Sequence, residues 1–208
     1  MLKLETSFCN LCNYYSLSEF HLTKKKIKPL NKQDLNQQQI KDALKSQYHA
    51  SLDMLGETIE KCPKELWTSQ EFKNAFWQVA YHTLFFTHLY LSPGNDEFIP
   101  WIKHKKDNQN PDCIPGDPDP KSDLPWMPDP YTKAEILEYL EFCRSIVDEY
   151  VDNTDLARQD SGFIWYKMSK FEHQLVNLRH LQHGAAQLAD RLRLKEGIGI
   201  NWAGRRKK

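Results

Sequence analysis

The 208-residue chain carries no excess of either charge, and this absence excludes several classes of partner. Its 28 lysines and arginines balance 28 aspartates and glutamates, so no global field would attract nucleic acid or an anionic membrane surface. No apolar run approaches the roughly 18–20 residues that cross a bilayer. The N-terminus also lacks the order of charges and apolar residues found in a secretory signal. We therefore expect a cytoplasmic protein with neither a nucleic-acid nor a membrane partner.

Glycine and cysteine are also sparse. None of the eight glycines belongs to a G-x-G-x-x-G or P-loop pattern, so nothing predicts a phosphate-binding loop. The five cysteines are odd in number and irregularly spaced, which favours free thiols in a reducing compartment. Cys9 and Cys12 form a Cys-x-x-Cys, but no second pair follows and no βαβ pattern surrounds them. We interpret this spacing as chance rather than as a zinc or redox site.

Helical periodicity is what the sequence has in abundance. Four stretches carry it, running from about Asp34 to Lys61, Thr68 to Leu91, Thr132 to Val151 and Ser169 to Glu196. Each of the last three opens with Ser or Thr three residues before Glu, the spacing of a capping box. The second stretch is apolar nearly all round, which is typical of a central, buried helix. Its aromatic residues could also form an interface, so a homodimer is one expected assembly.

A proline-rich crossover separates the second and third helices. Nine of the eleven prolines lie in residues 92–130, where no periodicity survives. Trp101 and Trp126 favour a loop packed across the helices over a free linker. Residues 1–30 read as an N-terminal extension, followed by a helical domain over 31–208. The predicted fold is all-α, a four-helix bundle with a long crossover between helices two and three.

The last helix has one predicted apolar stripe. Its members recur at steps of three and four and are Phe171, Leu175, Leu178, Leu181, Ala185, Leu188 and Leu192. Cations at the end of the stretch, such as Arg191 and Arg193, suit the negative end of a helix, and Gly197 is positioned to terminate it.

Histidines are the candidates for chemistry, because no serine or cysteine nucleophile pairs with a base in a recognisable spacing. His82 falls on an apolar arc of helix two, where it is either a core histidine with a hydrogen-bonded ring or a metal ligand. His180 lies away from the apolar stripe, so periodicity places it on the surface. His180 and His183 are spaced i, i+3 and could share a metal ion.

Two phrases of the sequence resemble a known family. They are WQVAYHTLFF at 77–86 and NLRHLQHGAAQL at 177–188, and they resemble the DinB/YfiT-like superfamily of metalloenzymes over about residues 30–196. The resemblance implies a four-helix bundle in which one histidine of the second helix and two of the last helix bind a divalent ion, often zinc or nickel. Characterised relatives include thiol-dependent transferases.

Carried over by position, the resemblance makes His82 and His180 metal ligands. The third ligand would stand four residues after His180, where this chain has Gly184. His183 is the nearby substitute, although it points about 100° away from the missing side chain. A glycine in place of this histidine also lowers helix stability, because glycine in mid-helix costs about 1 kcal/mol relative to alanine.

Two functional hypotheses follow. The first is a metal-dependent S-transferase or hydrolase with Zn or Ni bound at His82, His180 and His183. Its substrate would be a small thiol or another small molecule that enters beside the proline-rich loop, and Trp101 or Trp126 would close the site. The second is a catalytically inactive bundle that serves as a binding or scaffold protein, which Gly184 favours. A third hypothesis is a carrier of apolar ligands with a pocket opened at Gly184, although no sequence feature specifically favours it.

Overall fold

The computed structural model describes residues 36–110 and 129–207. All of them fall within one compact unit, 35–208. The predicted N-terminal extension lies outside the described residues, and so does its Cys9–Cys12 pair.

The described residues form only helices and connecting segments. In chain order the helices are α1 (Gln37–Lys61), α2 (Lys64–Trp67), α3 (Phe76–Leu91), α4 (Lys133–Asn153) and α5 (Lys170–Glu196). No strand occurs in the parts of the chain that the structure describes, which confirms the all-α class. Among the same residues, none of the helices combines the length and the apolar character that a bilayer crossing needs.

The predicted ends of α4 and α5 are largely confirmed. Thr132 and Glu135 form a reciprocal capping box at the start of α4. At the start of α5, the Ser169 hydroxyl accepts a hydrogen bond from the Glu172 backbone N–H, which is one half of such a box. Gly197 ends α5 in the left-handed conformation, with φ of 67°, which glycine adopts without a steric penalty.

The predicted start of the second long helix is wrong. A capping box was expected at Thr68, but α3 begins at Phe76, and its N-cap residue Ala75 supplies no side-chain hydrogen bond. The intervening segment is held by tertiary contacts instead. Phe72 packs under the Arg191 guanidinium, with 4.4 Å between the Arg191 Cζ and the ring centroid. Such contacts can outweigh local capping preference, which contributes only about 1 kcal/mol.

The four long helices pack in a closed ring. α1 contacts α4 and α5, and α3 contacts the same two helices from the other side. Thirteen of the sixteen residues of α3 are buried, which confirms the prediction of a central, buried helix. Its large aromatic side chains, such as Trp77 and Tyr81, lie inside the core rather than at a surface. The homodimer stays a prediction, and these aromatic residues no longer argue for it.

The predicted apolar stripe of α5 is correct only in its second half. Leu181, Leu188 and Leu192 are fully buried, whereas Phe171 and Leu175 are 36% and 43% exposed. Over the first half of α5 the buried face is polar, and its members are Lys170, His173, Gln174 and Asn177.

Carbonyl groups of α3 explain this polar face. Gln174 Nε2 donates to the Tyr90 carbonyl at 3.2 Å, and Asn177 Nδ2 donates to the Thr87 carbonyl at 3.1 Å. The Tyr90 carbonyl lies in the last turn of α3 and lacks an intrahelical partner, and the Thr87 carbonyl has a second lone pair free to accept, so amide side chains of a neighbouring helix can bind both. The first half of α5 therefore turns its amides, not its leucines, toward α3.

Lys170 extends the same pattern to the loops around the start of α5. Its buried ammonium group donates to the carbonyls of Ser92, Pro93 and Ser161 at 2.8, 3.0 and 3.0 Å. All three N–H groups of the ammonium are thus used. The Lys170 side chain therefore links the end of α3 to the segment that precedes α5.

The first part of the crossover packs onto the helices. Trp101 is buried and stacks on Tyr139 of α4, with ring centroids 4.5 Å apart. This agrees with a loop packed across the helices, and Trp126 lies outside the described residues. Cys62 and Cys143 are buried free thiols, and burial raises the pKa of each.

Candidate functional site: a histidine pair between two helices

His82 of α3 and His180 of α5 meet in the structure. Their Nε2 atoms lie 3.1 Å apart, and the two ring planes are inclined at 63°, with centroids 5.1 Å apart. Phe86 packs against both rings. The expectation that His180 lies on the surface is therefore wrong, and two of the three predicted metal ligands are brought together.

The buried polar face of α5 explains the position of His180. His173, Asn177, His180 and Gly184 follow one another at steps of four, three and four residues, so they share one side of the helix. His173, Asn177 and Gly184 are all buried against α3. His180 lies on this face and is carried inward with it.

His82 is oriented by the crossover loop. Its Nδ1 lies 2.8 Å from the Gln109 carbonyl oxygen, which can only accept, so Nδ1 carries the proton. In the neutral form of the ring, Nε2 then faces His180 as a hydrogen-bond acceptor. On the preceding residue, the Tyr81 hydroxyl lies 2.6 Å from His104 Nδ1. Neighbouring side chains of α3 thus hold the loop at two places.

His180 is kept neutral. Burial, and to a smaller extent the neighbouring His82 and His183, lower its pKa to about 4. Its Nδ1 is buried and has no hydrogen-bond partner among the described residues. With Nδ1 of His82 already protonated, the short contact is a hydrogen bond in which His180 Nε2–H donates to His82 Nε2. The His180 Nδ1 is then a buried acceptor without a donor, at a cost of about 1–3 kcal/mol.

Gly184 allows α3 and α5 to approach closely. The Cβ of any other residue there would overlap the Thr83 hydroxyl and lie 2.8 and 2.9 Å from Thr83 Cγ2 and Cβ. The Thr83 hydroxyl is fixed by donating to the Val79 carbonyl at 2.7 Å. A third histidine at position 184 would not fit this packing, so the glycine is part of the helix contact.

His183 lies at the rim of the site. It is exposed, and it makes no hydrogen bond or ion pair within the part of the chain that the structure describes. Across residues 36–110 and 129–207, no group of three or more histidine, cysteine or acidic side chains is placed to hold a metal ion. The geometry thus brings two histidines together, with His183 on the rim of the same pocket.

A small pocket opens beside the pair, with a volume of about 240 Å³. Its lining residues are Asn74, Gln78, Val79, His82, Thr83, His180, His183, Gly184, Gln187 and Arg191. No acidic residue is among them. Trp101 is not among them either, because it packs against α4. Sequence reasoning interpreted Arg191 only as a cation at a helix end and gave no signal for Thr83.

The other described histidines have structural partners or surroundings. His49 pairs with Asp148 at 2.8 Å, His88 lies 3.1 Å from the Tyr139 hydroxyl, and His173 is enclosed by aromatic rings. None of them lines the pocket beside His82.

Comparison with known proteins adds no relative. The chain matches no protein-family model, no curated protein and no solved structure.

Proposed function

We propose that the protein is a DinB/YfiT-like four-helix bundle that binds a divalent transition-metal ion, zinc or nickel, between His82 and His180. The 3.1 Å separation of the two Nε2 atoms carries the proposal. Two imidazole nitrogens bound to one zinc ion at about 2.0–2.1 Å in tetrahedral geometry lie roughly 3.3–3.4 Å apart. The pair needs to open by only a few tenths of an ångström.

The surroundings of the pair support the same role. A metal-binding histidine usually donates its other ring N–H to a carbonyl or carboxylate, and His82 donates to the Gln109 carbonyl. A ligand must also be deprotonated at the binding nitrogen. The low pKa of His180 keeps its ring neutral at neutral pH, so metal binding at Nε2 requires only that the remaining proton move from Nε2 to Nδ1.

The residues fit a two-histidine site and do not fit a three-histidine one. Position 184 is closed by Thr83, and within residues 36–110 and 129–207 His180 Nδ1 has no acceptor for the proton it would carry in a metal-bound state. We therefore expect weaker binding than at a complete site, with the remaining positions of the ion open toward the pocket. An ion held with open positions lowers the pKa of a bound water or thiol toward neutrality, which suits a small-molecule transferase or hydrolase.

A second candidate is a metal-free binding bundle. The observation that favours it is the fit between Gly184 and Thr83, which fills the third ligand position with helix packing. In this function the His180–His82 hydrogen bond is the resting state of the pocket, and ligands are recognised by its polar lining alone.

Metal content of protein purified without a histidine tag separates the two. We expect reconstituted wild-type protein to hold about one Zn or Ni per chain by elemental mass spectrometry. We expect His82→Ala and His180→Ala to lose it, because each variant leaves only one ligand of the pair.

His183→Ala is the matched control, since it removes an exposed histidine of the same helix, and it should keep the ion. Wild-type protein that takes up no ion at micromolar concentrations would overturn the proposal and leave the metal-free function. Loss of the ion in all three variants would contradict the two-histidine site and restore His183 as a ligand.

A further inference from the structure

Arg191 places an unneutralised cation at the pocket. Its guanidinium is partly buried, donates through Nη1 to the Asn74 carbonyl at 2.8 Å, and lies over the Phe72 ring. It makes no ion pair with any carboxylate in the described residues. The neighbouring Glu71 pairs with Lys195 instead.

Such a cation is unfavourable unless something neutralises it. Burial disfavours the charged form of Arg191 and lowers its pKa, yet a guanidinium stays protonated in proteins. One of its five N–H groups is used by Asn74, and the planar fork that remains matches a carboxylate or phosphate.

The rest of the pocket has the same preference. Its lining contains no acidic side chain, and it includes the amides of Asn74 and Gln187. The first turn of α3 also borders the pocket through Gln78 and Val79. The Ala75 cap leaves that helix end without a side-chain acceptor, and the positive end of a helix adds to the attraction for an anion.

We infer that this pocket binds a small molecule through its carboxylate or phosphate group, with Arg191 as the anchor. The inference rests on the proposed function in one respect, since it names the class of ligand that would reach the same histidine pair. The volume of about 240 Å³ is below the range of drug-sized sites, which begins near 300 Å³, so the ligand is small.

Helix geometry sets the orientation of this ligand. Arg191 follows His180 by eleven residues, about 16 Å along the axis, and long helical side chains lean toward the N-terminus. The guanidinium therefore reaches back toward His180 along the pocket. The anionic group would lie at Arg191, and the other end of the molecule would extend toward the histidine pair.

Titration with four probes tests the inference: inorganic phosphate, acetate, succinate and the neutral analogue succinamide. Binding would be followed by ¹H–¹⁵N chemical-shift changes, on chelator-treated protein and again with Zn²⁺ added. We expect millimolar or tighter binding of at least one anion and none of succinamide. We expect Arg191→Gln to weaken that binding at least 10-fold.

Two further variants control for structure and for general charge. Arg191→Lys keeps the cation without the fork and should bind more tightly than Arg191→Gln. Arg193→Gln removes an exposed arginine of the same helix and should stay within 2-fold of wild type. Urea unfolding would identify any variant that fails to fold, and Arg191→Lys then carries the test.

The outcomes separate this inference from the metal proposal. Anion binding by metal-free protein that depends on Arg191 supports the inference even if no ion binds. A preference for phosphate indicates a phosphorylated ligand, and a preference for acetate or succinate indicates an organic acid. Absence of binding to the wild type, or equal loss in the Arg191 and Arg193 variants, would overturn it.

Discussion

The closest approach of α3 and α5 gives the sharpest prediction, the effect of Gly184→Ala. The added methyl group would overlap the Thr83 hydroxyl and crowd the rest of that side chain. Thr83 is fully buried and its hydroxyl is held by the Val79 carbonyl. It therefore cannot rotate away without losing that hydrogen bond.

Two opposing terms set the magnitude. Alanine gains about 1 kcal/mol over glycine in helix propensity. Overpacking a well-packed core costs about 1–3 kcal/mol, and losing the Thr83 hydrogen bond costs about 1 kcal/mol more. We expect a net destabilisation of about 1–3 kcal/mol, which lowers Tm by roughly 2–12 °C for a domain of this size.

Gly56→Ala is the matched control in urea unfolding. Gly56 also lies within a long helix, but an added Cβ would meet nothing nearer than Leu140 at 3.5 Å, an ordinary contact. The same substitution should therefore be neutral or stabilise the protein by up to about 1 kcal/mol. The two alanine variants should differ by about 2 kcal/mol in the free energy of unfolding.

A double mutant links the effect to its cause. Thr83→Ala removes the hydroxyl and Cγ2, the atoms that a Cβ at position 184 would overlap most. Gly184→Ala should be less destabilising in that background, with a coupling energy of about 1 kcal/mol or more. If Gly184→Ala is as well tolerated as Gly56→Ala, α3 and α5 do not pack closely at Thr83, and position 184 has room for a third ligand.

Two further predictions concern stability. Burial lowers the pKa of His88, His173 and His180 from 6.5 to about 4, so between pH 4 and pH 6.5 the unfolded chain binds more protons than the folded one. The free energy of unfolding should therefore be full above pH 6.5 and fall toward pH 4, with a slope near pH 5 of about 4 kcal/mol per pH unit. Urea unfolding across this pH range would measure it. Lys170→Met should destabilise the protein by about 2–3 kcal/mol in the same assay at pH 7, because it leaves the buried carbonyl groups of Ser92 and Ser161, and the part-buried one of Pro93, without their shared donor. An unfolding energy that is flat from pH 7 to 4, or a methionine variant as stable as wild type, would contradict these assignments.

The four long helices could be predicted because their apolar periodicity and terminal residues agree. The Thr132 capping box and the Gly197 terminus are local signals whose partners lie within one turn. The same kind of signal at Thr68 misled, since contacts distant in sequence hold that segment. The stacking of Phe72 and Arg191 joins residues more than one hundred positions apart, and no local pattern encodes it.

The candidate site was harder to predict because it lies on a polar buried face. Hydrophobic periodicity assumes that leucine points inward, which is correct at Leu181 and Leu188. It failed at Leu175, where Gln174 takes the inward position to reach a carbonyl of α3. His180 follows the amides and not the leucines, so an apolar criterion placed it outside.

The attachment of the crossover loop to α3 means that ligand binding at the histidine pair can be detected in the loop. The proton on His82 Nδ1 both selects the tautomer that faces His180 and holds the Gln109 carbonyl. Any ligand that alters the electron density of the His82 ring changes the strength of that bond. Amide hydrogen exchange in the loop would thus report ligand binding to the histidine pair, even for a ligand with no spectroscopic signal. The measurement needs no known substrate.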